Sequence, residues 1–484
     1  MSCPMALDRT ALRNAYRQDE DTCIAERMEQ ASIVNQLHEK SASLASKLIL
    51  DARKRESSGL DAFLHSYGLN TDEGIALMCL AEALLRVPDE ETADALIRDK
   101  VATQDWAEHI GESGSVFVNA ATFSLMLTGE VLRGGKSQEK GLANALRRAT
   151  GRMGEPVIRN ATWQAMRIIG GQFVYARTIE EAMGRAKPEK KRGLTHSFDM
   201  LGEAAMTFDD AEKYANAYWD AIERLAEEPG DVHTGPGISV KLSALYPKYD
   251  FYHAEAARKA IVPIVKELAI KAREANIHFT IDAEEAERLE LSLDIFEDLM
   301  KDDELFDDGT EEGWTGFGLA IQAYQKRGVP LCKWVAKLAR RHERKLFVRL
   351  VKGAYWDAEI KLSQVGGHSD FPVFTRKVGT DVSFLACANE LLKAEDSIYP
   401  AFATHNAYTI GAILAMAGDT PFEFQRLHGM GEDIYGALAK MQGDKKTPVR
   451  IYAPVGGHKE LLAYLVRRLL ENGANSSFVN RMAD

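Results

Sequence analysis

The spacing of apolar residues divides this chain of 484 residues into two regions. In the stretch EGIALMCLAEALLRV (73–87), apolar residues recur every three or four positions and Pro88 follows, which is typical of an amphipathic helix. Similar spacing continues to about residue 185. We therefore predict an all-helical N-terminal region, with a helical arm over 1–70 and a helical domain over 71–185.

A charged segment, GRAKPEKKRG (184–193), ends the helical region and is expected to be a linker, because it contains proline and is flanked by glycines. Eight short runs with strand character follow it. They are THSFDML (195–201), GISVKLS (237–243), HFTIDAE (278–284), GFGLAIQAY (316–324), KLFVRLVKG (345–353), AFATHN (401–406), FEFQRLHG (422–429) and VRIYAPVG (449–456). Amphipathic segments long enough for crossover helices separate most of them. This alternation favours an α/β fold, a (β/α)8 or TIM-like barrel over 186–484, rather than an open doubly wound sheet.

Polar or charged side chains end seven of the strand-like runs. They are Lys241, Asp282, Gln322, Arg349, His405, Gln425 and Tyr452. In barrels of this kind, the carboxyl ends of the strands form the rim that carries the chemistry. Any one of these residues could be an ordinary surface residue or a hydrogen-bonded core residue. Their recurrence at the ends of seven runs indicates a functional site at the rim.

Two adjacent arginines, Arg467 and Arg468, follow the last run within YLVRRLLENGANSSFVN. A fixed pair of guanidinium groups suits one small carboxylate. Taken alone, such a pair is more often a solvated helix face. Its position after a barrel strand, together with the polar strand ends, favours binding of a small anionic substrate.

Composition limits the classes of function. The chain has 60 basic and 72 acidic residues and a net charge of −12, so no nucleic acid is expected as a partner. Five cysteines without C-x-x-C spacing suggest neither a disulfide framework nor a zinc ribbon, which fits a reducing cytoplasm. The N-terminus lacks an apolar signal region and no run of 18 apolar residues occurs, so any membrane contact is expected to be peripheral.

Familiar cofactor and catalytic motifs are broken or missing. Gly429 and Gly431 begin a G-x-G pattern, but Ile434 occupies the third glycine position of the dinucleotide fingerprint. No G-x-S-x-G, H-E-x-x-H or Walker pattern is present, and the histidines lack metal-ligand spacing. No metal site is expected, and His405 is interpreted as a donor to a bound ligand.

Long stretches of the chain resemble a known family, the proline dehydrogenase barrel of the bacterial proline utilization A proteins. The similar stretches are SVKLSALYPKY (239–249), IDAEEAERLE (281–290), AIQAYQKR (320–327), VRLVKGAYWDAEIK (348–361), FPVFTRKVGTDVSFLACA (371–388), FATHNAYTI (402–410), FEFQRLHGMGE (422–432) and the two motifs IYAPVG and YLVRRLLENGANSSFVN within 451–480. The stretch LMCLAEALLRVPDEETADALIRDK (77–100) also resembles that family's helical domain. The resemblance covers roughly residues 70–480.

The resemblance implies a distorted (β/α)8 barrel that binds FAD without a Rossmann fold. It implies oxidation of L-proline to Δ1-pyrroline-5-carboxylate by hydride transfer to flavin N5. Electrons would then pass to a membrane quinone, with the protein cytoplasmic and in peripheral contact with the inner face of the membrane. An aldehyde dehydrogenase domain is expected in the full-length protein, whereas this chain stops at Asp484. Some members begin with a ribbon-helix-helix DNA-binding module, whose short strand and basic face the first 50 residues lack, so autoregulation of transcription is not expected.

Matched motif by motif, the resemblance also assigns substrate roles. Arg467 and Arg468 would clamp the proline carboxylate, with Lys241 as a third cation. Tyr452 would pack against the proline ring, and Asp282 would hold Lys241 in place.

The flavin contacts follow from the same resemblance. Arg349 would lie near N5, and Gln322 and Gln425 would meet the polar edge of the flavin ring. The remaining assignments are the loop after the fifth strand (Val351, Gly353, Ala354, Tyr355, Trp356), the pyrophosphate cations (Arg376, Lys377), the ribityl and phosphate contacts (Thr404, His405, Asn406) and two residues that complete the pocket (Leu427, Glu471).

Two alternatives to a flavoenzyme stay open at this point. A desolvated barrel lysine is a familiar nucleophile, so Lys241 is also compatible with a Schiff-base enzyme. A non-catalytic scaffold with a degenerate barrel is the other alternative. The oligomeric state is also open, a homo-oligomer included.

Overall fold

The computed structural model describes residues 7–54 and 174–457. Within them, eight parallel strands form a closed barrel in which each strand pairs with the next and β8 pairs with β1. The strands are β1 (Leu194–Met200), β2 (Gly237–Val240), β3 (His278–Ile281), β4 (Phe317–Gln322), β5 (Leu346–Val351), β6 (Ile398–Ala403), β7 (Glu423–Leu427) and β8 (Val449–Val455). The expected barrel is confirmed.

Helices precede the barrel and connect its strands. They are α1 (Thr10–Asn14), α2 (Glu20–Gln30), α3 (Ser32–Gln36), α4 (His38–Ala52), α5 (Ile179–Lys190), α6 (Phe208–Leu225), α7 (Ala254–Glu274), α8 (Leu289–Met300), α9 (Asp303–Phe306), α10 (Gly328–Arg341), α11 (Trp356–Val365), α12 (Lys377–Leu392), α13 (Ala407–Ala417) and α14 (Glu432–Gln442). Short 3₁₀ turns lie at Leu242–Ala244, Phe251–His253 and Ala286–Arg288. None of the helices in the described ranges has the length and apolar content that crossing a bilayer requires.

The chain forms two compact units. One contains Met1–Leu50, Thr178–Leu427 and Ala437–Val455, and it includes the barrel. The other contains Asp51–Arg177, His428–Gly436 and Gly456–Asp484. In its described part, the ring of Tyr175 meets that of His428 edge-on, with centroids 5.0 Å apart. The expected division into an arm over 1–70 and a helical domain over 71–185 extends beyond the described residues and stays a prediction.

The expected linker at 184–193 is wrong in its first part. Helix α5 continues through Pro188 to Lys190. Its buried residues, Ile179, Ala182, Met183 and Ala186, have the three- and four-residue spacing of an apolar helix face. Lys187 and Lys190 lie on the exposed face of this helix, and the exposed Lys191 follows its end.

Strand β6 begins earlier than expected. It starts at Ile398, and Pro400 pairs with Val348 of β5. The predicted strand began one residue after this proline. Proline usually marks a strand edge, because it lacks the N–H that a ladder hydrogen bond needs. In the barrel, β5 and β7 flank this strand, which therefore has two neighbours despite the missing donor.

The N-terminal helices pack on the outside of the barrel. Arg9, which is 5% exposed, pairs with Asp294 at 2.6 Å and Glu297 at 2.8 Å on α8. Arg27 of α2 donates to the carbonyl oxygen of Lys326 at 2.8 Å. Ion pairs and a charge-assisted hydrogen bond thus hold Arg9 against α8 and Arg27 against the turn after β4.

Candidate functional site

Polar side chains two residues apart recur on five barrel strands. The pairs are Ser197 and Asp199 (β1), Ser239 and Lys241 (end of β2), Thr280 and Asp282 (end of β3), Glu423 and Gln425 (β7), and Arg450 and Tyr452 (β8). Since successive side chains of a strand point to opposite faces, the two members of each pair point to the same face. Arg349 of β5 reaches Ser197 of β1 across the barrel at 3.0 Å, which places this face in the interior.

Lys241 is held by two carboxylates. Its Nζ lies 2.5 Å from Oδ1 of Asp199 and 3.8 Å from Oδ2 of Asp282. Burial by itself lowers the pKa of Lys241, but the attraction of Asp199 and then of Asp282 outweighs burial and raises that pKa well above its ordinary value. Lys241 is therefore a protonated, buried cation at neutral pH. Burial also raises the pKa of the Asp199 carboxyl, which Lys241 opposes.

Arg349 is the centre of the network and is 2% exposed. Its Nη1 donates to Oδ1 of Asp282 at 2.6 Å, and its Nε donates to Oε1 of Gln425 at 2.7 Å. Its Nη2 donates to the hydroxyl oxygens of Ser197 and Ser239, both at 3.0 Å. All three guanidinium nitrogens are engaged, so the plane of the group is fixed.

Tyr452 connects the two cations through Asp282. Its hydroxyl donates to Oδ2 of Asp282 at 2.7 Å, and its ring centroid lies 5.1 Å from the guanidinium carbon of Arg349. That distance is typical of a cation–π contact. The structure therefore brings together Lys241, Asp282, Arg349 and Tyr452, all of which the sequence analysis assigned to one site.

A second buried pair lies nearer the amino ends of the strands. Arg450 and Glu423 are both fully buried, with Nε to Oε1 at 2.8 Å and Nη2 to Oε2 at 3.1 Å. Oε1 of Glu423 also accepts from Nε2 of Gln425 at 2.7 Å. The amide oxygen of Gln425 consequently faces Arg349, so Glu423 orients the amide.

The predicted residues Val351, Gly353, Ala354, Tyr355 and Trp356 extend from the last residue of β5, through the loop after it, to the first residue of α11. Gly353 has φ of +133°, and a Cβ there would lie 2.4 Å from the Tyr324 ring. Only glycine satisfies both the backbone and the space at this position. Trp356 begins α11 and donates from Nε1 to the carbonyl oxygen of Phe374 at 2.9 Å.

Arg376 and Lys377 lie at the start of the 16-residue helix α12. Lys377 pairs with Asp381 at 2.9 Å, and Lys352 also pairs with Asp381. Arg376 is exposed and is the residue immediately before the helix. Among residues 7–54 and 174–457, no ion pair to its guanidinium is found, so its charge can meet an anion.

The residues after β6 that were predicted to contact the ribityl and phosphate groups, Thr404, His405 and Asn406, form hydrogen bonds within the protein. Asn406 caps α13 by accepting from the Thr409 N–H at 2.9 Å, and its own N–H donates to the Thr404 hydroxyl at 3.2 Å. Nε2 of His405 accepts from the Leu427 N–H at 3.1 Å. A neutral imidazole with Nε2 as acceptor carries its proton on Nδ1, which is consistent with His405 as a donor.

Gln322, the last residue of β4, is 3% exposed, and its Oε1 accepts from Gln325 at 2.6 Å.

Three predicted residues, Arg467, Arg468 and Glu471, lie outside the described residues. Conversely, five members of the network were not expected from the sequence, namely Ser197, Asp199, Ser239, Glu423 and Arg450. Asp199 could have been found by the rule that identified the others, since it lies near the carboxyl end of β1. The family resemblance implied that Asp282 holds Lys241, and Asp199 also bonds Lys241, at the shorter distance.

Comparison with known proteins identifies the family. Residues 182–481 match a family model described as "Proline dehydrogenase". The chain belongs to the proline dehydrogenase family. The resemblance drawn from the sequence motifs is thereby confirmed.

Three relatives illustrate the family relationship. The chain is 47% identical over 494 residues to the bifunctional protein PutA of Escherichia coli, covering 99% of the chain and 37% of that protein. It is 28% identical over 313 residues to proline dehydrogenase 1 of Bacillus subtilis subsp. natto, covering 64% of the chain and 88% of that protein. A crystal structure of a Bradyrhizobium japonicum Proline Utilization A mutant matches with a TM-score of 0.72 at 43% identity, covering 100% of the chain and 47% of that protein. The chain thus spans less than half the length of its PutA relatives.

A second match concerns residues 59–173. They match a family model described as "DNA-binding domain of Proline dehydrogenase". This match is in tension with the expectation, based on net charge, that no nucleic acid is bound. The matched residues lie outside the described part of the chain.

Proposed function

We propose that this proline dehydrogenase domain oxidises L-proline to Δ1-pyrroline-5-carboxylate with FAD as its cofactor. The observation that supports this most is the fixed constellation of Lys241, Asp282, Arg349 and Tyr452 at one end of the barrel interior. It offers two buried cations and one aromatic face, which suit a small ring that carries a carboxylate.

The residues of the barrel fit a flavin dinucleotide. Gly353 keeps the backbone after β5 free of a side chain, in a conformation that other residues rarely adopt. Arg376 presents an exposed cation at the start of a long helix, where helix amides and the guanidinium both favour an anion. Arg349 supplies a fixed positive charge in the interior, as expected for a group near a flavin N5. When bound, FAD supplies the acceptor for the hydride from the carbon next to the proline nitrogen.

The protein's own groups position the substrate. Lys241 stays protonated because Asp199 and Asp282 raise its pKa, so it can meet the proline carboxylate together with Arg467 and Arg468. The hydrogen bond from Tyr452 to Asp282 fixes the direction in which the tyrosine ring faces. The cations near the amine disfavour its ammonium form, and loss of a hydride from the adjacent carbon requires the neutral amine. No side chain is needed to accept the C5 hydrogen.

The absorbance spectrum tests this proposal. The purified protein should show flavin bands that bleach on anaerobic addition of L-proline, with Δ1-pyrroline-5-carboxylate as the product. A protein that neither contains nor binds FAD would overturn the proposal. D-proline is the matched control, because it presents the same groups with the carboxylate misplaced.

The carboxylate clamp can be tested separately. Arg467→Met and Arg468→Met should each raise KM for proline by about ten-fold or more and leave FAD bound, since a charge-assisted contact contributes roughly 1.5–3 kcal/mol. An unchanged KM in both variants would contradict the substrate assignment.

The electron acceptor forms the last part of the proposal. We propose a membrane quinone, met by a cytoplasmic protein in peripheral contact with the inner face of the membrane. Protein reduced by proline without oxygen should regain its flavin bands on addition of a soluble ubiquinone analogue. Bands that stay bleached would point to another acceptor.

A further inference from the structure

The N-terminal arm touches the chain next to Arg376. The Thr375 N–H donates to both carboxylate oxygens of Glu20, at 3.0 and 3.1 Å, and the Thr375 hydroxyl donates to Oε1 of Glu20 at 3.0 Å. Glu20 is the first residue of α2, and Thr375 directly precedes Arg376. A residue 355 positions away in sequence thus fixes the backbone where the proposed phosphate cation begins.

Thr375 belongs to the loop between α11 and α12, and residues after β4 bond the part of this loop that precedes Thr375. The Phe374 N–H donates to the Tyr324 carbonyl oxygen at 2.9 Å, and the Lys326 N–H donates to the Pro372 carbonyl oxygen at 3.0 Å. The fully buried Lys326 ammonium bonds Asp370 at 2.6 Å. The loop is therefore bonded to the residues after β4 as far as Phe374. The next residue, Thr375, is bonded by Glu20 instead.

Helix α2 is bonded to the barrel unit near both of its ends, so the position of Glu20 is fixed. The backbone carbonyl oxygen of Gln18, just before the helix, accepts from the Lys326 ammonium at 2.6 Å. Arg27 donates to the Lys326 carbonyl oxygen at 2.8 Å, and Asn389 of α12 donates to the Gln30 carbonyl oxygen at 3.0 Å. Contacts at the start, middle and end of the helix leave Glu20 little freedom to follow a moving loop.

We infer that Glu20 is a positioning residue that aims Arg376 at the phosphate-bearing part of a flavin dinucleotide. The inference rests on the proposed function, in which Arg376 meets the pyrophosphate. Glu20 is suited to this task because its carboxylate bonds Thr375, while no ion pair with Arg376 is found in the described ranges. The arginine charge is therefore directed without being neutralised.

The test measures flavin affinity of the protein freed of flavin, for FAD and for riboflavin, which lacks phosphate. Glu20→Ala should weaken FAD by about five-fold and leave riboflavin affinity within about two-fold, because only the dinucleotide reaches Arg376. Glu20→Gln keeps an oxygen acceptor for the Thr375 N–H, so it should restore much of the FAD affinity. In the double variant with Arg376→Ala, the Glu20 change should add little, because both act on one contact.

Asp19→Ala is the matched control. Asp19 caps the same helix by accepting from the Thr22 N–H at 2.9 Å, and no contact with Thr375 is found for it in the described ranges. It should lower the melting temperature of the flavin-free protein and leave FAD affinity within about two-fold.

Several outcomes would overturn the inference. They are an unchanged FAD affinity in Glu20→Ala, an equal loss in Asp19→Ala, an equal loss of riboflavin affinity, or effects of Glu20→Ala and Arg376→Ala that simply add. If Arg376→Ala itself binds FAD normally, both the inference and the pyrophosphate assignment fail while the proline reaction stands. Unaltered protein that binds no FAD at all would instead overturn the proposed function.

Discussion

The ammonium group of Lys241 lies 2.5 Å from Oδ1 of Asp199, and both side chains are buried in the barrel. A buried charge without a partner is strongly unfavourable, so each member of such a pair makes the other tolerable. Asp282, at 3.8 Å, is too far to replace Asp199 as the hydrogen-bond acceptor of this ammonium. The pair therefore determines whether the interior of the barrel can hold a cation at this position.

Asp199→Asn should destabilise the fold strongly. The substitution leaves the buried Lys241 ammonium with one distant carboxylate, and loss of one partner of a buried ion pair costs about 3–5 kcal/mol. Urea unfolding at pH 7 gives the free energy of unfolding for this comparison. Asp209→Asn, at an exposed position in the first turn of α6, should change it by less than about 1 kcal/mol. If Asp199→Asn lowered the free energy of unfolding by less than about 1 kcal/mol, the buried Lys241 ammonium would be stable without a hydrogen-bonded carboxylate partner.

Lys241 should not form a Schiff base at neutral pH. An amine attacks a carbonyl only in its neutral form, and Asp199 and Asp282 outweigh burial and raise the pKa of Lys241 well above its ordinary value. Treatment with a small carbonyl compound and borohydride at pH 7 should leave Lys241 unmodified in peptide mass spectra. Modification of Lys241 ahead of exposed lysines such as Lys259 would revive the Schiff-base alternative.

The deeper pair of Arg450 and Glu423 is fully buried, and Arg450 also donates to the carbonyl oxygens of Gly235 at 2.8 Å and His233 at 2.9 Å. Arg340 and Asp396 form a similar two-bond pair, at 2.7 and 2.8 Å, but their side chains are 47% and 57% exposed. Arg450→Met should lower the free energy of unfolding by about 3–5 kcal/mol, and Arg340→Met by less than about 1 kcal/mol. Similar losses in urea titrations of the two variants would contradict this assignment of burial.

The fold was predictable because its pattern is local. Most strands of the barrel are short runs rich in apolar and β-branched residues, and most crossovers show helical spacing, so both are visible within about twenty residues. The rim residues Lys241 and Asp282 were found because they directly follow such runs. The charged segment before β1 was misassigned because α5 buries only a narrow stripe that includes Ala182 and Ala186.

Long-range contacts could not be predicted from local patterns. Glu423 and Arg450 alternate with apolar residues, as the polar side of a solvated strand would, and only closure of the barrel turns that side inward. The contact of Glu20 with Thr375 joins segments that share no pattern. Local patterns therefore indicated which residues lie on the rim, and the expected pairing of Asp282 with Lys241 came from the family resemblance.

Glu284 and Glu359 should each contribute less to stability as pH rises from about 5 to about 7. Burial raises the pKa of Glu284 and of Glu359 to about 7, against an ordinary value of 4.5. Between these values each of the two carboxyl groups holds more protons in the folded protein than in the unfolded chain, so its contribution to the free energy of unfolding decreases with pH. Each group contributes on the order of 1–3 kcal/mol, at about 1.4 kcal/mol per pKa unit.

Glu359→Gln should reduce this pH dependence. Its amide oxygen can still accept from the Ala286 N–H, which lies 2.6 Å from Oε1 of Glu359, but it cannot ionise. Urea titrations at pH 5 and pH 8 should show a smaller difference for this variant than for the unaltered protein. Glu255→Gln, at an exposed position, should leave the difference unchanged. Equal pH dependence in all three proteins would mean that Glu359 titrates like an exposed carboxyl group.

Tyr452→Phe should alter proline kinetics without loss of FAD. The phenylalanine ring keeps its place 5.1 Å from the Arg349 guanidinium, whereas the hydrogen bond to Asp282 is lost. Asp282 retains its bond to Arg349 at 2.6 Å, so the carboxylate stays paired and the fold should be little affected. We expect KM for proline to rise about three- to ten-fold, equivalent to about 0.7–1.4 kcal/mol, because the hydrogen bond to Asp282 no longer orients the ring against the substrate. Flavin content measured by absorbance should match that of Tyr246→Phe, whose ring packs against Phe208. A variant that loses FAD but keeps the same KM would place Tyr452 in the cofactor site.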